Sequence, residues 1–167
     1  MSKREVVISK DLQNKRLTVV REFEAPLELV WNAWTKSEQL DKWWAPKPFR
    51  AETKSMDFRE GGFWLYCMVG PEGIAAWCRV DYQSIEPMKR IVDTDVFCDE
   101  QGVRNLAFPA MDWNKEFSEA DGVTTVHVVL SFEKEADMEM IIQMGFQEGF
   151  TAGLQNLEEL LQATVPA

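Results

Sequence analysis

Between Arg16 and Glu24 the chain alternates. Leu17, Val19, Arg21 and Phe23 fall on one side, and Thr18, Val20 and Glu22 on the other. That is the period of a half-buried strand. The period then lengthens. Pro26 suits the first position of a helix, and Leu27, Val30, Trp31 and Trp34 recur on one helical face. Ser37 can cap a second short helix, which carries Leu40, Trp43 and Trp44 on its apolar side and stops at Pro46 and Pro48.

From Phe49 to Phe132 the spacing reads as strands. Gly61-Gly62, after Asp57-Phe58-Arg59-Glu60, marks a turn or bulge, because only glycine enters positive φ cheaply. Phe63–Val69 and Ile74–Ile85 are joined across Gly70-Pro71-Glu72-Gly73, and Glu86-Pro87 turns the chain into Arg90–Cys98. Gly102–Met111, with Pro109, reads as a loop. Asp121-Gly122 is a hairpin signal between Trp113–Glu119 and Val123–Phe132. Strands linked by tight turns pair antiparallel, and their buried face needs a cover. One helix from about Glu135 to Ala163 supplies it, with Ile142, Phe146, Phe150, Leu157, Leu160 and Leu161 in a stripe. Gln147, Glu148, Gln155, Glu158 and Glu159 lie opposite. The expected class is α+β: one domain over residues 16–163 behind an N-terminal extension of residues 1–15.

Seven Trp and ten Phe demand a roomy interior. The formal charge of −10 works against nucleic acid and against anionic membranes, so neither is expected as a partner. Cys67, Cys78 and Cys98 show no C-x-x-C spacing, and His127 is the single histidine, so no metal site is expected. Val6-Val7-Ile8 is too short for a signal-peptide core, and no stretch reaches membrane-spanning length. These features point to a cytoplasmic protein with reduced thiols.

Three groups of residues carry a family likeness. The first is Arg21-Glu22-Phe23-Glu24-Ala25-Pro26, with Val30-Trp31-Asn32-Ala33-Trp34-Thr35 and Trp43-Trp44-Ala45-Pro46. The second is Asp57-Phe58-Arg59-Glu60-Gly61-Gly62. The third is Gly145-Phe146, Gly149 and Leu154 to Leu161. Together they resemble the activator-of-heat-shock-chaperone-ATPase homologues of the START-like (Bet v-like) superfamily, from Arg16 to Gln162. The resemblance implies a helix-grip fold: a curved antiparallel sheet of six or seven strands around the long C-terminal helix, with two short helices after the first strand. It implies a cavity between sheet and helix, where superfamily members bind sterols, lipids, hormones or polyketides and a few act as cyclases or hydroxylating-enzyme domains. A chaperone partner is implied by the family name alone.

On the inward phase lie Trp64, Tyr66 and Met68, then Cys78, Val80 and Tyr82 on the returning strand and Val128 and Leu130 on the last. Phe146, Gly149, Phe150 and Gly153 oppose them from the helix. These are the candidate ligand-binding residues, and two readings are open: a cavity wall or a filled core. Gly149 and Gly153 divide in the same way, between room for a ligand and close backbone packing. Trp31, Trp34, Trp43 and Trp44 either plug the core or gate a cavity mouth. For catalysis the inventory is thin. His127 is out of phase, Glu148 is opposite the stripe, and Cys78 has no histidine in phase with it. No Ser/His/Asp set, paired inward carboxylates or phosphate loop appears, and no cofactor is expected. The leading expectation is non-catalytic binding of a small hydrophobic ligand. A protein-interaction domain of chaperone-regulator or stress-response type comes second, and a cyclase- or hydrolase-type enzyme third. On the outer face Phe63, Leu65 and Val69, with Trp77, form an apolar row suited to a homodimer.

Overall fold

Alternation through the middle of the chain produces one antiparallel sheet, and helical spacing on either side of it produces the cover. The computed structural model describes residues 5–164. The strands are β1 Val7–Asp11, β2 Arg16–Phe23, β3 Arg50–Asp57, β4 Phe63–Gly70, β5 Gly73–Glu86, β6 Arg90–Cys98, β7 Met111–Ala120 and β8 Val123–Ser131. The helices are α1 Leu27–Thr35, α2 Ser37–Trp43, α3 Glu135–Gln143 and α4 Phe146–Thr164. Strand order is β1-β2-β8-β7-β6-β5-β4-β3. From β3 to β8 each strand pairs with the next. β2 then pairs with β8, Arg16 opposite Ser131 and Phe23 opposite Thr124. Register shifts at Thr53/Ser55, Met68/Val69 and Tyr82/Ser84 bend the sheet, as bulges do.

Eight strands exceed the six or seven expected, because residues 7–11, read as part of an extension, pair with β2. Val-Ile-Ser-Lys-Asp carries no buried row, and only Ile8 is half-buried, so no alternation announces the strand. The C-terminal cover also differs from expectation. It is two helices rather than one, broken at Gly145, whose φ is +92°. The apolar stripe continues across the break, so its period gives no sign of it.

Gly153 and Asn156 explain how α4 is held. A Cβ on Gly153 would stand 3.0 Å from the Trp44 carbonyl oxygen and 3.4 Å from that of Trp43. One turn on, Asn156 Nδ2 donates to the carbonyls of Ala45 (3.0 Å) and Trp43 (3.4 Å), which the end of α2 leaves unmatched. The bare glycine face lets the two backbones approach, and the amide fastens them. From β2, the buried Arg21 reaches Glu158 of α4 at 2.9 Å. Beneath these links lie Leu17, Leu130, Ile91, Leu154 and Leu157, all sealed from water.

Candidate functional site

Between the sheet and the α3–α4 junction lies a cavity of about 220 Å³. The sheet contributes Tyr66, Met68, Cys78, Asp95, Met111 and Trp113. The cover contributes Ile141 from α3, Met144 and Gly145 at the break, and Phe146, Gly149 and Phe150 from α4. Trp44 and Pro46 follow α2, and Pro109 comes from the loop before β7. A Cβ on Gly149 would meet only Pro46, at 3.8 Å, so this glycine leaves space where Gly153 permits contact.

The wall is largely aromatic. Trp113 meets Phe146 and Phe150 edge-on, with centroids 5.8 and 5.3 Å away, and Trp44 lies 5.7 Å from Trp113. Such pairs add to the stability that area burial provides. Trp44 Nε1 donates to the Tyr66 hydroxyl at 2.8 Å, and Cys78 is the residue opposite Tyr66 on β5. Burial holds the Tyr66 hydroxyl and the Cys78 thiol far above their ordinary ranges. A thiol so disfavoured as thiolate is a poor nucleophile.

The sequence reading placed no paired carboxylates inside. The structure corrects this: Asp93 and Asp95 both point from β6 into the interior, 1% and 6% exposed. Lys115 Nζ of β7 lies 2.7 Å from Asp93 Oδ2. No cation stands within salt-bridge distance of Asp95 among the described residues. Burial, and then the neighbouring Asp93, push the Asp95 carboxyl up to about 8. Burial raises Asp93 as well, with Lys115 pulling against it. The signal in the sequence was the run Asp93-Thr94-Asp95, whose odd positions continue the buried phase of Ile91. Phase, not charge, decides which side of β6 these two residues enter.

The sequence profile described as "Activator of Hsp90 ATPase homolog 1-like protein" matches residues 24–162. The chain belongs to this family. Solved structures agree with that membership. A protein of Arthrobacter aurescens, determined by solution NMR, is 27% identical, with a TM-score of 0.89 over 96% of this chain and 92% of the other. Protein Ms6760 of Mycobacterium smegmatis is 28% identical, with a TM-score of 0.87 over 96% and 99%. A Staphylococcus epidermidis protein is 26% identical, with a TM-score of 0.82 over 96% of each chain. No protein of curated function shows significant similarity. The helix-grip architecture of the START-like superfamily is therefore that of this family member.

Of the residues expected at a ligand site, Tyr66, Met68, Cys78, Phe146, Gly149 and Phe150 come together around the cavity. Trp64, Val80, Tyr82, Val128, Leu130 and Gly153 are buried but do not line it. Phase chose the face correctly, but position along each strand decides which end of the grip a side chain enters. One end is full: Trp31 packs on Phe117 at 5.1 Å, and Phe58 on Tyr82 at 4.9 Å. Trp64 stacks on the far face of Tyr66 at 4.1 Å and donates to Thr53 Oγ1 at 2.9 Å. Of Trp31, Trp34, Trp43 and Trp44, only Trp44 lines the cavity. Trp43 is wholly buried and donates to the Ala33 carbonyl at 2.8 Å. His127 and Glu148 are exposed, as their phases indicated.

The outer row of this family member is partly covered by its own chain. Leu65 is buried, and Phe63, Val69 and Trp77 are half-buried. Arg79 lies over the Phe63 ring and Lys54 over that of Trp77. Gly102, in the loop after β6, sits beside Arg79 and Leu65, and Lys54 reaches on to Glu100. No helix among the described residues is long and apolar enough to cross a membrane.

Proposed function

We propose that this domain binds a small, mainly apolar molecule in the cavity between the sheet and the α3–α4 junction. The observation that carries the reading is the cavity itself: about 220 Å³ of space left open in an otherwise tightly filled aromatic interior. A cavity of about 150 Å³ accepts benzene, so this one suits a guest of roughly nine non-hydrogen atoms. Met68, Met111 and Met144 line it with flexible side chains that adapt to irregular guests. The three free thiols suit a reducing, cytoplasmic setting.

The test fills the space. 2-Phenylethanol titrated into the parent protein should shift the amide resonances of Phe146, Gly149 and Phe150, with a dissociation constant on the order of 0.1–1 mM for so small a guest. Gly149→Phe places a ring in the cavity and should remain folded while the shifts vanish. Unaltered shifts in a folded Gly149→Phe protein would place the guest elsewhere.

A further inference from the structure

The polar content of the cavity specifies more than an apolar guest. One carboxyl group, that of Asp95, lines the cavity, and the buried Asp93 and Lys115 lie outside its lining. Asp93 occupies the ammonium at 2.7 Å, and the remaining faces around Lys115 Nζ are the rings of Trp113, Trp34 and Trp44, at 5.0, 5.8 and 5.9 Å. Asp95, 6% exposed in the wall of the cavity, has no cation within salt-bridge distance among the described residues, Lys115 being paired with Asp93. The surrounding wall is made of the aromatic rings of Trp44, Tyr66, Trp113, Phe146 and Phe150, whose faces attract cations. A carboxylate among aromatic rings is the arrangement that holds ammonium groups. The helices oppose no charge to it, since Ile141, Met144, Phe146 and Phe150 are all apolar. The net charge of −10 also draws cations toward the protein.

We infer that the guest is a lipophilic amine, its ammonium group paired with Asp95 and its hydrocarbon part lying against Phe146 and Phe150. This rests on the cavity being a binding site. Without a guest, Asp95 faces Asp93 on its own strand, Lys115 on β7, Cys78 and Tyr82 on β5, and Tyr66 on β4, while Asp81 acts on it from the outer face of β5. Burial and the neighbouring acids keep it protonated at neutral pH. An entering ammonium reverses that balance: Asp95 gives up its proton to solvent, and the ion pair forms in its place.

The experiment compares 2-phenylethylamine, 2-phenylethanol and phenylacetate by calorimetry on the full chain. The three are close in size and differ in charge. At pH 7 the amine should bind at least about tenfold tighter than the alcohol, and phenylacetate weakest. Heats measured in buffers of different ionisation enthalpy should show about one proton released per amine bound and none per alcohol. Amine affinity should rise up to about pH 8 and fall as the amine itself deprotonates, near pH 10. Asp95→Asn should bring the amine and alcohol affinities together. Should that variant not fold, the proton count on the parent decides. Equal binding of amine and alcohol, or tighter binding of phenylacetate, overturns the inference and leaves the cavity reading intact. Binding of none of the three overturns both.

Discussion

Lys115 and Asp93 form an ion pair, 2.7 Å between Nζ and Oδ2, inside the grip, where their side chains are 9% and 1% exposed. Asp93 Oδ1 has no hydrogen-bond partner among the described residues. Two charges removed from water gain little net stability from each other, but either one left alone is costly. Lys115→Met should therefore destabilise the protein by about 3–5 kcal/mol. Combining it with Asp93→Leu should recover most of that loss. Urea unfolding of the two single variants and the double variant measures the coupling. Additive losses would show that the pair acts independently.

Asp95 makes stability depend on pH in a defined direction. Its carboxyl lies at about 8 in the folded protein against an ordinary 3.8. Between those values the folded protein holds a proton that the unfolded chain has released, so raising the pH favours unfolding. The cost is absent below about pH 4 and complete above about pH 8. Relative to Asp95→Asn, the parent should lose up to about 1.4 kcal/mol per pH unit across this window. Urea midpoints at about pH 5 and about pH 8.5 give the comparison. Parallel pH profiles in the two proteins would assign the slope to other groups.

Two glycines one helical turn apart should respond oppositely to alanine. Gly149→Ala adds a methyl that touches only Pro46, at 3.8 Å, and should stabilise α4 by about 0.5–1 kcal/mol. Gly153→Ala forces a methyl to within 3.0 Å of the Trp44 carbonyl, pushing α4 off α2. It should cost about 1–3 kcal/mol. Thermal unfolding of the two variants decides, and a stabilised Gly153→Ala would remove the close-contact account of α4.

The thiols should react in a fixed order. Cys98 is half-buried and pushed up to about 11, by burial first and Asp99 second. Burial raises Cys67 and, far more, Cys78. A thiol-reactive dye at about pH 8 should label Cys98 first and Cys78 last, all slowly, while denatured protein should give all three at once. Rapid labelling of Cys78 in the folded state would mean that the cavity wall opens on that timescale.

Much of this was legible in the residues. The switch from period two to period 3.6 marks the elements, and Asp121-Gly122 marks the β7–β8 hairpin. Phase also put Tyr66, Met68 and Cys78 on the inner face. Three things were hidden. β1 buries almost nothing, so its sequence carries no alternation. The break at Gly145 interrupts the backbone without interrupting the apolar stripe. Phase alone turns Asp95 inward, but its lack of a close cation depends on its neighbours across β5 and β7, which a single strand does not show. The glycines illustrate the same limit: Gly145, Gly149 and Gly153 recur every fourth residue, yet one breaks a helix, one leaves space and one permits contact.

The pairing of β2 with β8 sets when the molecule can be completed. Phe23 lies opposite Thr124, and the Thr124 hydroxyl donates to the Ala25 carbonyl at 2.7 Å, across 99 positions of sequence. On the ribosome, at about 5–20 residues per second, β2 and α1 therefore wait on the order of 5–20 s for their partner strand to be made. Through that interval Leu17, Val19, Phe23 and Val30 have no sheet to enter. Loop closure of this span is slow compared with the hairpins from β3 to β8, which form between neighbours. The nascent domain is thus most vulnerable to misassociation at β2 and α1, and that exposure ends only when nearly the whole domain has emerged.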